Sequence, residues 1–185
     1  MRPHLLGIDE GPFVKGQNAP VPLVAALCEG ADLVEAVAQT AFPVDGEGAT
    51  EFLAHWLAGL RARDSVQGLA LGGITLAGLA LVDVRALSDA LQVPVLVVTR
   101  RPPDNARLRE ALAAAGLGAR FPIAERSPEA FATGEGVWLA HAGNERDGAL
   151  ALLRASRGKS KLPEALRIAH LVATALVRGE SHGRV

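Results

Sequence analysis

The sequence predicts an α/β protein, built on a mixed sheet in which an antiparallel three-strand meander joins parallel strands, with helices on both faces. Three observations carry this. Short apolar runs bounded by Gly and Pro fill the chain up to Phe42. A helical repeat of apolar residues begins only after Thr50. Strand-like and helix-like patterns then alternate to the end. The 185 residues are enough to bury one core, which predicts a single domain over 1–185.

The first run, His4-Leu5-Leu6-Gly7-Ile8-Asp9-Glu10, ends at carboxylates and is followed at once by Gly11-Pro12. Val21–Cys28 is a second strand, and Gly30-Ala31-Asp32 a turn. Leu33–Phe42 has both helical and alternating character; the short turns flanking it favour a third antiparallel strand. Val44-Asp45-Gly46-Glu47-Gly48 is a polar loop. From the cap Thr50, the spacing of Phe52, Leu53, Trp56, Leu57 and Leu60 predicts a helix. Val66–Leu71 reads as a buried strand stopped by Gly72-Gly73, and Asp83 opens a helix through Leu87 and Leu91. Val93–Thr99 is the most β-rich run and gives way to Arg100-Arg101-Pro102-Pro103. A helix over about 104–115 closes at Gly116, and 117–135 reads as loop. Val137–Ala140 is a last strand and Glu145–Ser156 a helix. In the final helix Pro163 occupies the first turn, Leu166, Ala169, Val172 and Leu176 form a stripe, and Gly179 ends it.

Composition excludes several functions. With 19 basic and 20 acidic side chains the net charge is -1, so the chain does not coat nucleic acid by bulk charge. Aromatics are 4% with no Tyr, too few for a base-stacking platform. The single Cys28, within an apolar strand, forbids an internal disulfide and reads as an inert small hydrophobe. No signal-peptide pattern or membrane-length apolar run is present, which predicts a cytoplasmic protein without membrane contact.

Candidate chemistry lies in carboxylates at strand and loop ends: Asp9, Asp45, Glu47, Glu51 and Asp83. Two or three converging carboxylates hold Mg²⁺ or Mn²⁺, and paired ions about 3.5–4 Å apart are the usual apparatus of phosphodiester hydrolysis. Asp9, Asp45 and Asp83 are the expected metal and catalytic residues. Arg100 and Arg101, leaving a strand, and Lys161 and Arg167, in the last helix-loop-helix, are the expected phosphate contacts. Gly158-Lys159-Ser160 lacks the preceding glycines of a phosphate loop. His55 and His170 read as packing residues, and Trp56 and Trp138 as core.

The strand Leu6-Gly7-Ile8-Asp9 resembles the opening of endonuclease V. The chain more closely resembles a prokaryotic family of unknown function grouped with it. The residues carrying that likeness are Leu6–Phe13, Val44-Asp45-Gly46, Gly73–Gly78, Pro94-Val95 through Arg100-Arg101-Pro102-Pro103, and Lys161–His170. The resemblance implies a ribonuclease-H-like fold, an endonuclease V-like domain over the whole chain, and a metal-binding role for Asp9. It also exposes departures. Where endonuclease V ends a strand with a metal-binding Asp before Gly, this chain has Gly72-Gly73. A His expected after a Gly falls at Gly143-Asn144, with His141 three residues early, and the Glu of the family falls near Glu51 or Phe52 without a clean match. The expectation is an endonuclease V-like protein that binds DNA or RNA with a degenerate metal site and weak or no cleavage. The alternatives are an active Mg²⁺- or Mn²⁺-dependent endonuclease, and a small-molecule or protein-interaction module on the same fold.

Overall fold

The computed structural model describes residues 2–14 and 19–182. In chain order the elements are β1 (His4–Glu10), β2 (Val21–Glu29), β3 (Leu33–Phe42), α1 (Ala49–Ala58), β4 (Gly68–Leu71), β5 (Thr75–Leu76), β6 (Ala80–Leu81) and α2 (Val84–Leu91). There follow β7 (Val95–Thr99), α3 (Asn105–Ala114), α4 (Phe121–Glu125), β8 (Phe131–Ala132), β9 (Trp138–Ala142), α5 (Arg146–Ala155) and α6 (Glu164–Arg178). Seven strands form one sheet in the order β3-β2-β1-β4-β7-β9-β8. The meander β1-β2-β3 is antiparallel, β1, β4 and β7 are parallel, and β9 returns antiparallel to β7. The mixed α/β sheet expected from the sequence is the one observed.

Alternation along the strands sorts the core into two layers. Leu6, Ile8, Leu69, Leu71, Val95 and Val97 pack with Leu53 and Leu57 of α1 and Leu87 and Leu91 of α2. The residues between them, Leu5, Ala70, Leu96 and Val98, pack with Ala149 and Leu153 of α5 and Leu166 of α6. Val24 and Ala26 meet Ala169 and Ala173 of α6. Each fully buried Leu contributes about 1.5–3 kcal/mol relative to exposure, so both helix layers are strongly held to the sheet.

Small residues set how closely α6 approaches. A Cβ on Gly7 would stand 2.3 Å from the Ala165 carbonyl carbon, and one on Gly11 2.9 Å from the Ala173 carbonyl oxygen. Only glycine lets the helix backbone lie directly on β1 at these two points. This contact brings a helix side chain to the end of the first strand.

The structure departs from the sequence reading in detail. The fourth strand starts at Gly68 rather than Val66, after a 3₁₀ turn over Arg63–Ser65. The segment 117–135 contains the 3₁₀ turn Gly118–Arg120, α4 and β8. Phe121 and Ala124 there bury against Leu81 and Leu112, a satellite core whose partners are distant in sequence. The β5–β6 hairpin is too short to show any periodicity. No helix among the described residues is long and apolar enough to cross a membrane.

Candidate functional site

Asp9 lies at the C-terminal end of β1, on the sheet face that carries Leu5 and the Ala165 contact of Gly7, and therefore faces α6. His170 Nδ1 stands 2.8 Å from Asp9 Oδ2, and the Glu10 amide donates to Asp9 Oδ1 at 2.9 Å. Burial raises the Asp9 carboxyl above its usual range, with the Glu10 amide and His170 acting against it. Glu10 is next in line. Burial pushes its carboxyl up to about 7, the amide of Ala77 pulls it down, and the neighbouring Asp9 pushes it further up. Both carboxyls stand at the end of β1, where burial opposes their ionisation.

These groups line a cavity of about 380 Å³ with Gly72, Gly73, Thr75 and Arg100. Ile8 pairs with Leu71 in parallel register, so Gly72 stands beside Asp9. Alternation from Ala70 places position 72 on the same face as Asp9, and a Cβ there would meet nothing within 4 Å. The place of the missing carboxylate is thus open space at the cavity wall.

Arg100 lines this cavity and also a second, wider cleft of about 930 Å³ with Lys159, Lys161, Arg167 and Glu164. Arg167 there donates from Nε to both Glu164 oxygens, at 2.9 and 3.0 Å, which offsets part of the positive charge. Of the expected phosphate contacts, Arg100, Lys161 and Arg167 share this cleft; Arg101 is exposed and lines neither space.

Asp45 and Asp83 are not brought to Asp9's cavity. Asp45 has φ 53°, its amide donates to Ala77 O at 2.9 Å, and its Oδ1 accepts from the Leu79 amide at 2.7 Å. It pins the tip of the β5–β6 hairpin, whose Ala77 amide in turn reaches Glu10. Asp83 caps α2: Oδ1 accepts from the Ala86 amide at 3.1 Å, Oδ2 accepts from Arg126 Nε at 2.5 Å, and its own amide donates to Thr50 Oγ1 at 2.9 Å. Glu47 is exposed, 3.9 Å from Arg120, and Glu51 is exposed.

Two residues of the cavity escaped the sequence reading. His170 looked like a packing residue because it borders the apolar stripe of its helix, although it closes the Lys161–His170 block. Its partner is 161 residues away in the chain. Glu10 was visible only as Asp9's neighbour. Elsewhere, His4, Glu29 and Glu35 gather at the opposite end of the meander with ligand atoms within 4.8 Å of one another. They are the one such group of three among the described residues.

Comparison with known proteins gives this arrangement a family. The family model described as endonuclease dU matches residues 2–177. The chain belongs to that family. A UPF0215 protein of Methanothermobacter thermautotrophicus is 34% identical over 184 residues, covering 97% of this chain and 90% of its own. One from Archaeoglobus fulgidus is 34% identical over 152 residues, covering 82% and 83%. Among solved structures, a protein of unknown function from Archaeoglobus fulgidus superposes with TM-score 0.87 at 31% identity, over 96% of this chain and 100% of that one. Endonuclease V of Streptomyces avermitilis gives 0.61 at 15% identity, over 96% and 82%. Endonuclease V of Ciona intestinalis, in complex with a DNA containing an inosine followed by a ribo-adenosine, gives 0.58 at 10% identity, over 91% and 82%. These last two share the fold, which is ribonuclease-H-like.

Proposed function

We propose that this member of the endonuclease dU family binds nucleic acid along the Arg100–Lys161–Arg167 cleft and cleaves a phosphodiester, slowly, at the Asp9 cavity. The observation that carries the reading is Arg100, which lines both spaces and would hold a phosphate at their junction. DNA containing a deaminated base is the substrate class. The family's name points to deoxyuridine, and the Ciona intestinalis fold relative is in complex with inosine-containing DNA.

The donor set fits a divalent ion only in part, since successive residues of β1 leave opposite faces of the sheet: Asp9 faces α6 and Glu10 the β5–β6 hairpin, although both line the cavity. Asp9 and Glu10 offer hard oxygen ligands, the type Mg²⁺ and Mn²⁺ prefer, and Mg²⁺ keeps several waters when few carboxylates are present. When bound, such an ion supplies a nucleophilic water at neutral pH and offsets phosphate charge. The chain's own residues do the rest. His170 fixes the orientation of the Asp9 carboxylate, Arg100 draws in the phosphate, and the hairpin tip held by Asp45 positions Glu10. The open wall at Gly72 leaves the ligand set short of a carboxylate, which is why cleavage is expected to be slow.

The test is incubation of end-labelled single- and double-stranded DNA carrying one deoxyuridine or deoxyinosine, and of matched RNA, with Mn²⁺ or Mg²⁺. Slow cutting near the lesion that Asp9→Ala abolishes, with DNA binding retained, is the expected result. Cutting that survives Asp9→Ala, or failure to bind any nucleic acid at low salt, overturns the reading.

A further inference from the structure

The polar residues of α6 are Glu164, Arg167, His170, Thr174 and Arg178, and every other residue of the helix is apolar. Successive members are three or four residues apart, which at 3.6 residues per turn puts all of them on one stripe. Exposure to solvent does not account for that stripe. Leu176 and Val177 are 50% and 46% exposed, whereas His170 and Thr174 are half-buried. The stripe follows a run of three contiguous spaces instead. Glu164 and Arg167 line the basic cleft, His170 lines the Asp9 cavity, and His170, Thr174 and Arg178 line a third space of about 460 Å³. Arg100 is common to the first two spaces, and Asp9, Glu10 and His170 are common to the last two. The Asp9–His170 pair therefore stands between two spaces, with an opening on either side. The third adds the Ser181 hydroxyl and the His182 ring, and among the described residues its carboxylates are Asp9 and Glu10 themselves.

We propose that a nucleic-acid strand lies along this stripe from end to end, and that Thr174 and Arg178 hold a backbone phosphate on the far side of Asp9 from Arg100. The proposal rests on the nucleic-acid reading of the Asp9 cavity and names where the strand goes after passing it. A phosphodiester inside a strand has a phosphate on either side, and each is a charge that a cation or a hydroxyl can hold. Arg100, Lys161 and Arg167 serve one side. On the other side the Arg178 guanidinium and the Thr174 hydroxyl are the donors that α6 supplies. Arg167 and Arg178 are about 16 Å apart along the helix axis at 1.5 Å per residue, the length of about five stacked nucleotides at 3.4 Å each. A cation in the last turn also suits the negative end of the helix, but that accounts for Arg178 alone and not for the confinement of all the polar residues to the wall of the three spaces.

Fluorescence anisotropy with labelled oligothymidine strands over a salt series tests this. Arg178→Gln should make the log–log salt slope shallower by about 0.7, the single-strand value for one phosphate, and Arg178→Lys should keep the wild-type slope. The loss should add to that of the Arg100 and Lys161 double variant, since the two groups hold different phosphates. Arg107→Gln, at an exposed position of α3 outside all three spaces, should leave the slope unchanged. On strands shortened below about five nucleotides, which no longer reach both ends, the difference between the wild type and Arg178→Gln should vanish. Arg178 is exposed, so unchanged melting confirms the fold of each variant. A wild type that binds no strand at low salt overturns the nucleic-acid reading and this proposal with it. A slope that responds to Arg100 and Lys161 but not to Arg178→Gln overturns this proposal alone, as does an Arg178→Gln effect that persists undiminished on the shortest strands.

Discussion

At Gly72 the backbone passes beside Asp9 with empty space where a side chain would stand. The neighbouring carboxylates meet the opposite condition, crowded and pushed toward the protonated form by burial. Gly72→Asp should therefore add a ligand without a clash, and raise Mn²⁺ affinity and Mn²⁺-dependent cleavage about tenfold or more. Titration of Mn²⁺ against the wild type, Gly72→Asp and Gly72→Asn separates a ligand from a mere filler. Equal affinity in all three would mean that no cation sits at this wall. The place of Asp9 at the end of a buried strand was legible from the strand's own pattern, while its expected metal-binding role came from the resemblance to endonuclease V. His170 was not legible, because its meaning depends on glycine-mediated contact between α6 and β1, and nothing local to residue 170 encodes that contact.

The elements show the same division between local and distant causes. The strands β1, β2, β7 and β9 were legible since each alternates or runs apolar between turn residues, and α6 since its stripe, Pro163 and Gly179 agree. The 117–135 segment was not, because α4 is held by Leu81 and Leu112 rather than by any periodicity of its own. Asp83 was legible as the start of a helix, while its ion pair with Arg126 was not, since the two are 43 residues apart. Burial alone would raise the Asp83 carboxyl; Arg126 and the amide of Ala86 outweigh it and hold the group below its ordinary 3.8. A carboxyl depressed in the fold stabilises the protein above its unfolded value, and that contribution is lost as pH falls through the folded value. Asp83→Ala should thus cost about 1–2 kcal/mol at pH 7, chiefly through the lost cap. Urea titrations from pH 7 downward should show the gap to wild type narrowing below about pH 4. A gap that stays constant into acid would mean that the carboxylate's charge contributes nothing to the fold.

For the whole molecule, bulk composition and local geometry point in different directions, and geometry decides between them. A net charge of -1 argues against general affinity for nucleic acid. The fold nevertheless collects Arg100, Lys159, Lys161 and Arg167 on one cleft from two separate stretches of chain. Arg100 arrives there because β7 lies next but one to β1 in the sheet, so the residue just past its end opens toward both the cleft and Asp9. The order of family-like blocks was readable in the sequence; their convergence needed the parallel β1-β4-β7 register. If the cleft tracks a phosphate backbone, binding should weaken linearly on a log–log plot against salt, with a slope near -0.9 per contacted phosphate for duplex DNA. Replacing both Arg100 and Lys161 by Gln should make that slope shallower by about 2 and weaken binding evenly across sequences, lesion-bearing or not. Arg101→Gln, at an exposed position outside both spaces, should leave the slope unchanged. Fluorescence anisotropy over a salt series measures all three. Equal slopes for the wild type and the double variant would place the nucleic acid on some other face, and with it the Asp9 cavity outside the bound path.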